Sequence, residues 1–551
     1  MFVCRRMNRL CLSQRKLATD CLLWRLLAGT LMAGVCGAVA LAQTAQSPSA
    51  KWHLQQGITY LNQHDIQKAL DEFRFALRLN PKNAAAHDYL GETLVESGET
   101  QLAVEEFQKA IQLSDSFAGA HFHLGLVYDR LGQALQAVSQ YEKAIYLQPG
   151  LIDARYALSA ACWKLGDAEG AIELLRQIAR QDPPFAAEVH YNLGTELSQQ
   201  GKLDEAVQEL KTAINLEPAS PNFYGALIQA LTQKQDLDAA AGAAKRAVEL
   251  APDQPKNHYN LAETLRLQAN LDDAEAEFGK LLKLDPSYPR AHRQLGLVLR
   301  QKGDYPAAAV QLQDAVAENP EDSEAHYYLG SVLLRLNEVM PAVEQLREAV
   351  RLSPYDSGPH VTLAEAFRRA RKADEAQEEL RKAQELEKLQ ADAGRSRVLL
   401  GSAVEHCNKG QTKAALSELR EAVGLSPEYT DAQFQLARAL RQSGAPAVEV
   451  EKALRRVIEL SPDFARAHLE LGLLLETGRQ RAEAAKELRR ALELAPSFVE
   501  AHRALGTAAL AAHDWPAAAS EYIAILAWIQ HDANAQRNLS YALAEQKRGR
   551  K

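Results

Sequence analysis

Small, apolar and polar positions along this chain recur in one pattern. The segments Ala76-Leu-Arg-Leu-Asn-Pro81, Ala144-Ile-Tyr-Leu-Gln-Pro149, Ala213-Ile-Asn-Leu-Glu-Pro218 and Ala491-Leu-Glu-Leu-Ala-Pro496 share it and close on proline. Prolines stand at 149, 183, 218, 252, 286, 320 and 354, in steps of 34 or 35, and eleven of the chain's 21 prolines occupy this one place. Leu-Gly pairs keep the same period, from Leu90-Gly91 and Leu124-Gly125 to Leu505-Gly506, with an alanine twelve residues after each glycine, as at Ala103, Ala137 and Ala518. The pattern predicts helix, short turn, helix, turn. Gly98, Gly132, Gly166, Gly201, Gly303 and Gly410 fall where first helices end and a left-handed residue is wanted. Pro306, Pro341 and Pro516 open second helices, where a missing N–H costs nothing. The closing proline stops the second helix.

Glycine at the Leu-Gly site and the later alanine let two helices approach closely, while leucines and aromatics fill the gaps. One such pair cannot bury its own apolar face, so neighbouring pairs must stack. A 34-residue two-helix unit with these offsets resembles the tetratricopeptide repeat, over nearly all of residues 50–547. The resemblance implies an all-α fold, a right-handed α-solenoid of about fourteen units anchored from Gly57 and Gly91 to Gly472 and Gly506. Ser159, Ile228, Ala403 and Arg438 replace the glycine, yet their units keep the closing proline at 183, 252, 427 and 462. A last helix near Ala533–Gln546 has no partner in the pattern and reads as a solvating cap, with a basic tail at 548–551.

The period is interrupted once. Between Ala364 and Ala403 the spacing is 39, and Lys388 takes the place of the closing proline. The helical run from Ala373 to Ala393 predicts an overlong second helix and a break near Gly394. Two blocks follow from that break, about ten repeats in 50–388 and about four in 389–547.

The N-terminus differs from the rest. Arg5, Arg6, Arg9, Arg15, Lys16 and Arg25 precede an uncharged run from Leu26 to Ala42 that ends Ala40-Leu41-Ala42. This is the order of a secretory signal over 1–42, with 43–49 as linker, and it predicts an exported, periplasmic chain. The apolar run, about 17 residues, reaches the lower limit for a spanning helix, so an uncleaved inner-membrane anchor at 26–42 is the competing reading. Without the leader, 57 of 63 basic and 70 of 71 acidic residues remain, and a net charge of −8 becomes −13. That balance argues against nucleic acid as a partner. Only Cys162 and Cys407 remain outside the leader, too far apart in sequence to suggest a disulfide.

No Cys-x-x-Cys, His-Glu-x-x-His, Gly-x-Ser-x-Gly or P-loop sequence occurs in the body, so neither an enzyme nor a cofactor or metal site is expected. The histidines are nonetheless ordered. His53, His87, His121, His190, His258, His292, His326, His360, His468 and His502 each stand four residues before the anchor. Equivalent side chains of stacked repeats lie roughly 10 Å apart, too far for one ion, so half-buried rings with a satisfied nitrogen are expected. Charging such rings would cost stability at mildly acidic pH.

In the resembling family, first helices line a concave groove that holds peptides, at positions three before and one and four after the anchor. The first column here reads Phe122, Tyr156, Tyr191, Gly225, Tyr259, Arg293 and Tyr327, its rings amphipathic and suited to protein recognition. These rings equally suit packing on the next repeat. Arg266, Arg300 and Arg368 recur at another site, with Arg290, Arg293, Arg335 and Arg369 adjacent, a locally basic stretch that favours an acidic peptide or anionic polymer. Glu263, Glu324 and Glu365 interleave, and neutralisation within the surface is the alternative. Residues such as Asp88/Glu92 stand where the family's chaperone-binding members carry a lysine–asparagine carboxylate clamp. Three functions remain open: an exported adaptor binding protein in its groove, a structural subunit of an envelope export or polysaccharide machine, or a membrane-anchored regulator.

Overall fold

A computed structural model describes residues 49–181 and 185–549. The expected leader, nearly all of the linker and the end of the basic tail lie outside the described residues. Among those described there are 28 α-helices, from α1 (Ala50–Asn62) to α28 (Ala533–Gly549), and no strand. They pair in sequence order as the pattern predicts, and consecutive pairs pack on one another within 50–179, 186–460 and 465–549.

The anchor glycine makes the closest approach within a pair. A Cβ added at Gly125 would lie 2.5 Å from Tyr141 Cε1, and one at Gly296 would lie 2.7 Å from Leu312 Cγ. The large residue sixteen positions on therefore fills the space that the missing side chain leaves. The sixth unit exchanges the two volumes, with Ile228 at the anchor and Ala244 sixteen residues later, both buried. The turn between paired helices also repeats in geometry. A residue with positive φ stands seven positions after most anchors, glycine at 98, 132, 166, 201, 303 and 410, but also His64, Asn337, Arg371 and His513.

The expected break near Gly394 is absent. Helix α20 runs unbroken from Ala373 to Asn408, 36 residues or about 54 Å, so the expected block boundary at 388/389 falls inside one helix. Its first half pairs with α19 (Ser357–Arg369) and its second half with α21 (Thr412–Leu425), so one helix serves two repeats. With no proline to stop it, the run is carried through by Arg381 bonded to Glu378 and Glu385, and by Lys382 bonded to Glu379. Gly394 stays helical with nothing within 4 Å of an added Cβ.

The chain forms two compact units. One joins the repeats up to Pro183 with those from Asp463 onward, and the other is Pro184–Pro462. No helix among the described residues is long and apolar enough to cross a membrane.

Candidate protein-binding surface

The histidine column forms a repeated brace inside each pair. The Nδ1 of each ring meets a side chain nineteen residues on: Glu at seven positions, as His87–Glu106 (2.6 Å) and His360–Glu379 (2.5 Å), and Gln at three, as His121–Gln140 (2.8 Å). At His87 and His502 the Nε2 also meets the carbonyl of the closing proline, Pro81 at 3.0 Å and Pro496 at 3.1 Å. Two acceptors around one ring suit the imidazolium, which donates from both nitrogens. The Glu106 hydrogen bond accordingly raises the His87 pKa above its ordinary value. At His502 burial pulls the other way and is outweighed by Glu521 and Glu142. At His121, where the partner is Gln140, burial dominates and lowers the pKa. The expected acid lability thus has the wrong sign wherever a glutamate braces the ring and raises its pKa. Among the described residues no three His, Cys, Asp or Glu side chains converge as metal ligands would.

The candidate binding residues divide between the two units. Phe122 and Tyr156, in the first, are 9% and 4% exposed, and Phe122 packs in a core with Tyr141 and Ile145. Neither offers surface to a ligand. In the second unit Tyr191 stacks on Phe223 at 5.0 Å, packing on the next repeat.

Tyr259, Arg266, Arg293, Arg300 and Tyr327 come together on three successive first helices, α13 (Pro255–Leu267), α15 (Ala291–Lys302) and α17 (Ser323–Arg335). Tyr259 lies half-buried, its ring 5.4 Å from that of Tyr288, and Gln294 bonds its hydroxyl. Burial, with Glu263 nearby, raises its phenol above the ordinary value. Arg300 lies over the ring of Tyr328 at 4.8 Å, and Tyr328 touches Tyr327 with centroids 5.1 Å apart.

Most of the arginines are neutralised locally. Arg266 makes a two-point pair with Glu263 at 2.9 and 2.7 Å. Arg293 is buried and bonded to Asp322 (2.8 Å) and Glu324 (2.7 Å), leaving its Nε without a partner. Arg368 stands 3.6 Å from Glu365, which also holds Arg369. Arg335 is exposed. The surface therefore presents tyrosine rings, the Arg300 guanidinium on Tyr328, and few free cations. Tyr328 and Gln294, which complete it, lie beside predicted positions, and the doublet Tyr327-Tyr328 was the available signal.

Models of the tetratricopeptide repeat match residues 54–118, 118–150, 191–255, 259–316, 303–357, 406–463, 451–497 and 469–527. The chain belongs to the tetratricopeptide repeat family. None of the curated proteins matches it. Among solved structures it is similar to MamA from Desulfovibrio magneticus RS-1, at 26% identity over 30% of this chain and 94% of that one, with a TM-score of 0.29. YrrB, described as a tetratricopeptide repeat protein with an unusual peptide-binding site, is 21% identical over 32% of this chain and 91% of its own, with a TM-score of 0.29. The Cut9–Hcn1 structure of the APC/C is 15% identical over 90% of this chain and 96% of that one, with a TM-score of 0.33.

Proposed function

We propose that this tetratricopeptide repeat protein is a non-enzymatic scaffold that binds a protein partner on the first helices α13, α15 and α17. The observation that carries this reading is the cluster of Tyr259, Tyr327 and Tyr328 with Arg300 stacked on the last ring. Rigid aromatic rings beside a partly desolvated guanidinium are what anchors of protein interfaces are made of. The carboxylates paired with Arg266, Arg293 and Arg368 leave too few cations for a track along a polyanion, which favours protein over anionic polymer. The leader-like order of residues 1–42 supports export to the periplasm, with N-terminal sequencing of the envelope-associated protein as its check. Partner capture by the full chain, compared with a Tyr259→Ala/Arg300→Ala/Tyr328→Ala variant of equal helicity, tests the surface. Loss of one specific partner supports the assignment; an unchanged set of partners removes it.

A further inference from the structure

Stacking accounts for contacts between neighbouring repeats. Within the first compact unit there is one that it does not account for. Helix α6 (Ala134–Leu147) of the third repeat packs on α27 (Trp515–Trp528) of the fourteenth. The Trp528 indole N–H donates to Glu142 Oε1 at 2.9 Å across 386 residues of sequence, and both side chains are buried. Ala527 and Trp528 join the core of Tyr141, Ile145 and Leu158. A second foothold lies at the start of α8 (Ala168–Ala179). There Asp167 Oδ1 accepts from the Gly170 N–H (3.0 Å) and the Ser497 hydroxyl (2.9 Å), and Oδ2 from the Ser497 N–H (2.9 Å). An added Cβ on Gly170 would lie 2.7 Å from Ser497 Cβ. Arg466 and Glu169 pair at the exposed rim, 2.6 Å apart.

Two carboxyl groups are thus sealed into a seam where the donors bonded to them, an indole, a hydroxyl and backbone N–H groups, are neutral. Glu142 is faced by His502 of α26 (Val499–Ala511) and by Glu521 of α27, which bond each other at 2.6 Å. Cys162 of α7 (Ile152–Leu165) lies in the field of both Glu142 and Asp167, and Glu169 adds its charge near Asp167. Lys143, next to Glu142 in sequence, turns to Asp115 at 3.6 Å. Burial raises both carboxyls above their ordinary values, at Asp167 against the opposing Gly170 and Ser497 bonds. His502 is raised as well.

We propose that this seam is a proton-operated clasp, an internal docking surface where the last two repeats grip the second helices of the third and fourth, tightening as pH falls and loosening as it rises. The His502–Glu521 brace lies within the last repeat and outlasts opening, but the two carboxyls hold a proton more firmly in the closed seam. Their contribution is complete below the open-state values and is lost as pH rises through the closed-state ones. Opening would uncover Trp528, Ala527 and Tyr146, a fresh apolar surface.

Hydrogen–deuterium exchange of the full chain at pH 4.0, 5.5, 7.0 and 8.5, corrected for intrinsic rates, tests the clasp. Protection of residues 134–179 and 495–528 should fall together by about tenfold over this range, while residues 221–250, which carry no histidine, stay unchanged. Glu142→Gln with Asp167→Asn, which keeps acceptors in place but removes the titration, should cut the change to less than about twofold. Trp528→Phe removes the indole donor together with part of the buried ring, and should lower protection of both segments at pH 5.5, keeping the idea testable even if the double variant fails to fold. Protection that rises with pH, or that changes in one segment alone, overturns the clasp. So does a full tenfold change retained in the Glu142→Gln/Asp167→Asn variant.

Discussion

Within each repeat the anchor glycine and the residue sixteen positions later divide one volume between them, and the division should be exchangeable. Leu312 is fully buried against Gly296, so Leu312→Ala alone should leave a cavity and cost about 2–5 kcal/mol. Gly296→Ile alone drives branched carbons into a place where even a first Cβ lies 2.7 Å from Leu312 Cγ. Overpacking of that kind costs about 1–3 kcal/mol, offset in part by the roughly 0.5 kcal/mol gained when glycine leaves a helix interior. Isoleucine is the informative choice, because Ala262 already stands against the buried Phe278, so a single methyl is absorbed by a small shift. The double variant recreates the arrangement of Ile228 and Ala244 and should be less destabilised than either single change, a coupling of at least about 2 kcal/mol. Chemical denaturation followed by circular dichroism gives the overall change, and hydrogen exchange over residues 291–318 localises it. A double variant as unstable as the sum of its singles would refute the reasoning, because the two positions would then not share one space.

Gly394→Ala should stabilise the chain by about 0.5–1 kcal/mol, since position 394 is interior helix with open space around it; a lower melting temperature would mean that the helix needs to bend there. Glu106→Gln should lower the His87 titration midpoint seen by NMR, and should reduce stability more at pH 6 than at pH 8. The raised His87 pKa contributes below the unfolded-state value and is lost as pH rises through the folded one, by less than about 1 kcal/mol after solvent screening. His121 supplies the opposite sign: its lowered pKa makes protonation costly, so its midpoint should lie below that of a histidine in an unfolded peptide.

The repeat, its turns and its close contacts were legible because each depends on residues a fixed short distance apart. The left-handed turn was foreseen only where glycine marks it, whereas His64, Arg371 and His513 take the same backbone under pressure from the packed pairs around them. Gly394 misled because one glycine weakens a helix without ending it, and the proline that ends eleven of the others is missing from this unit. The histidine column was visible, but its charge state depends on a partner nineteen residues away and a carbonyl six residues back. The basic stretch was visible too, and its neutralisation was not, because Asp322 reaches Arg293 from the next repeat. The seam at Trp528 escaped the periodic reading altogether, since a period describes neighbours. Its trace in the sequence is the absence of charge in α27 after Glu521, the mark of a helix covered on all sides.

The central claim is that a protein partner sits on the first helices around Tyr328. Placing a photo-crosslinking phenylalanine analogue at position 328 of the full chain, and in a control at the exposed Val310 of the second helix α16 (Tyr305–Glu318), tests it most directly. The account predicts one specific protein adduct from position 328 and none from position 310. An adduct from position 310 with none from position 328 would contradict it.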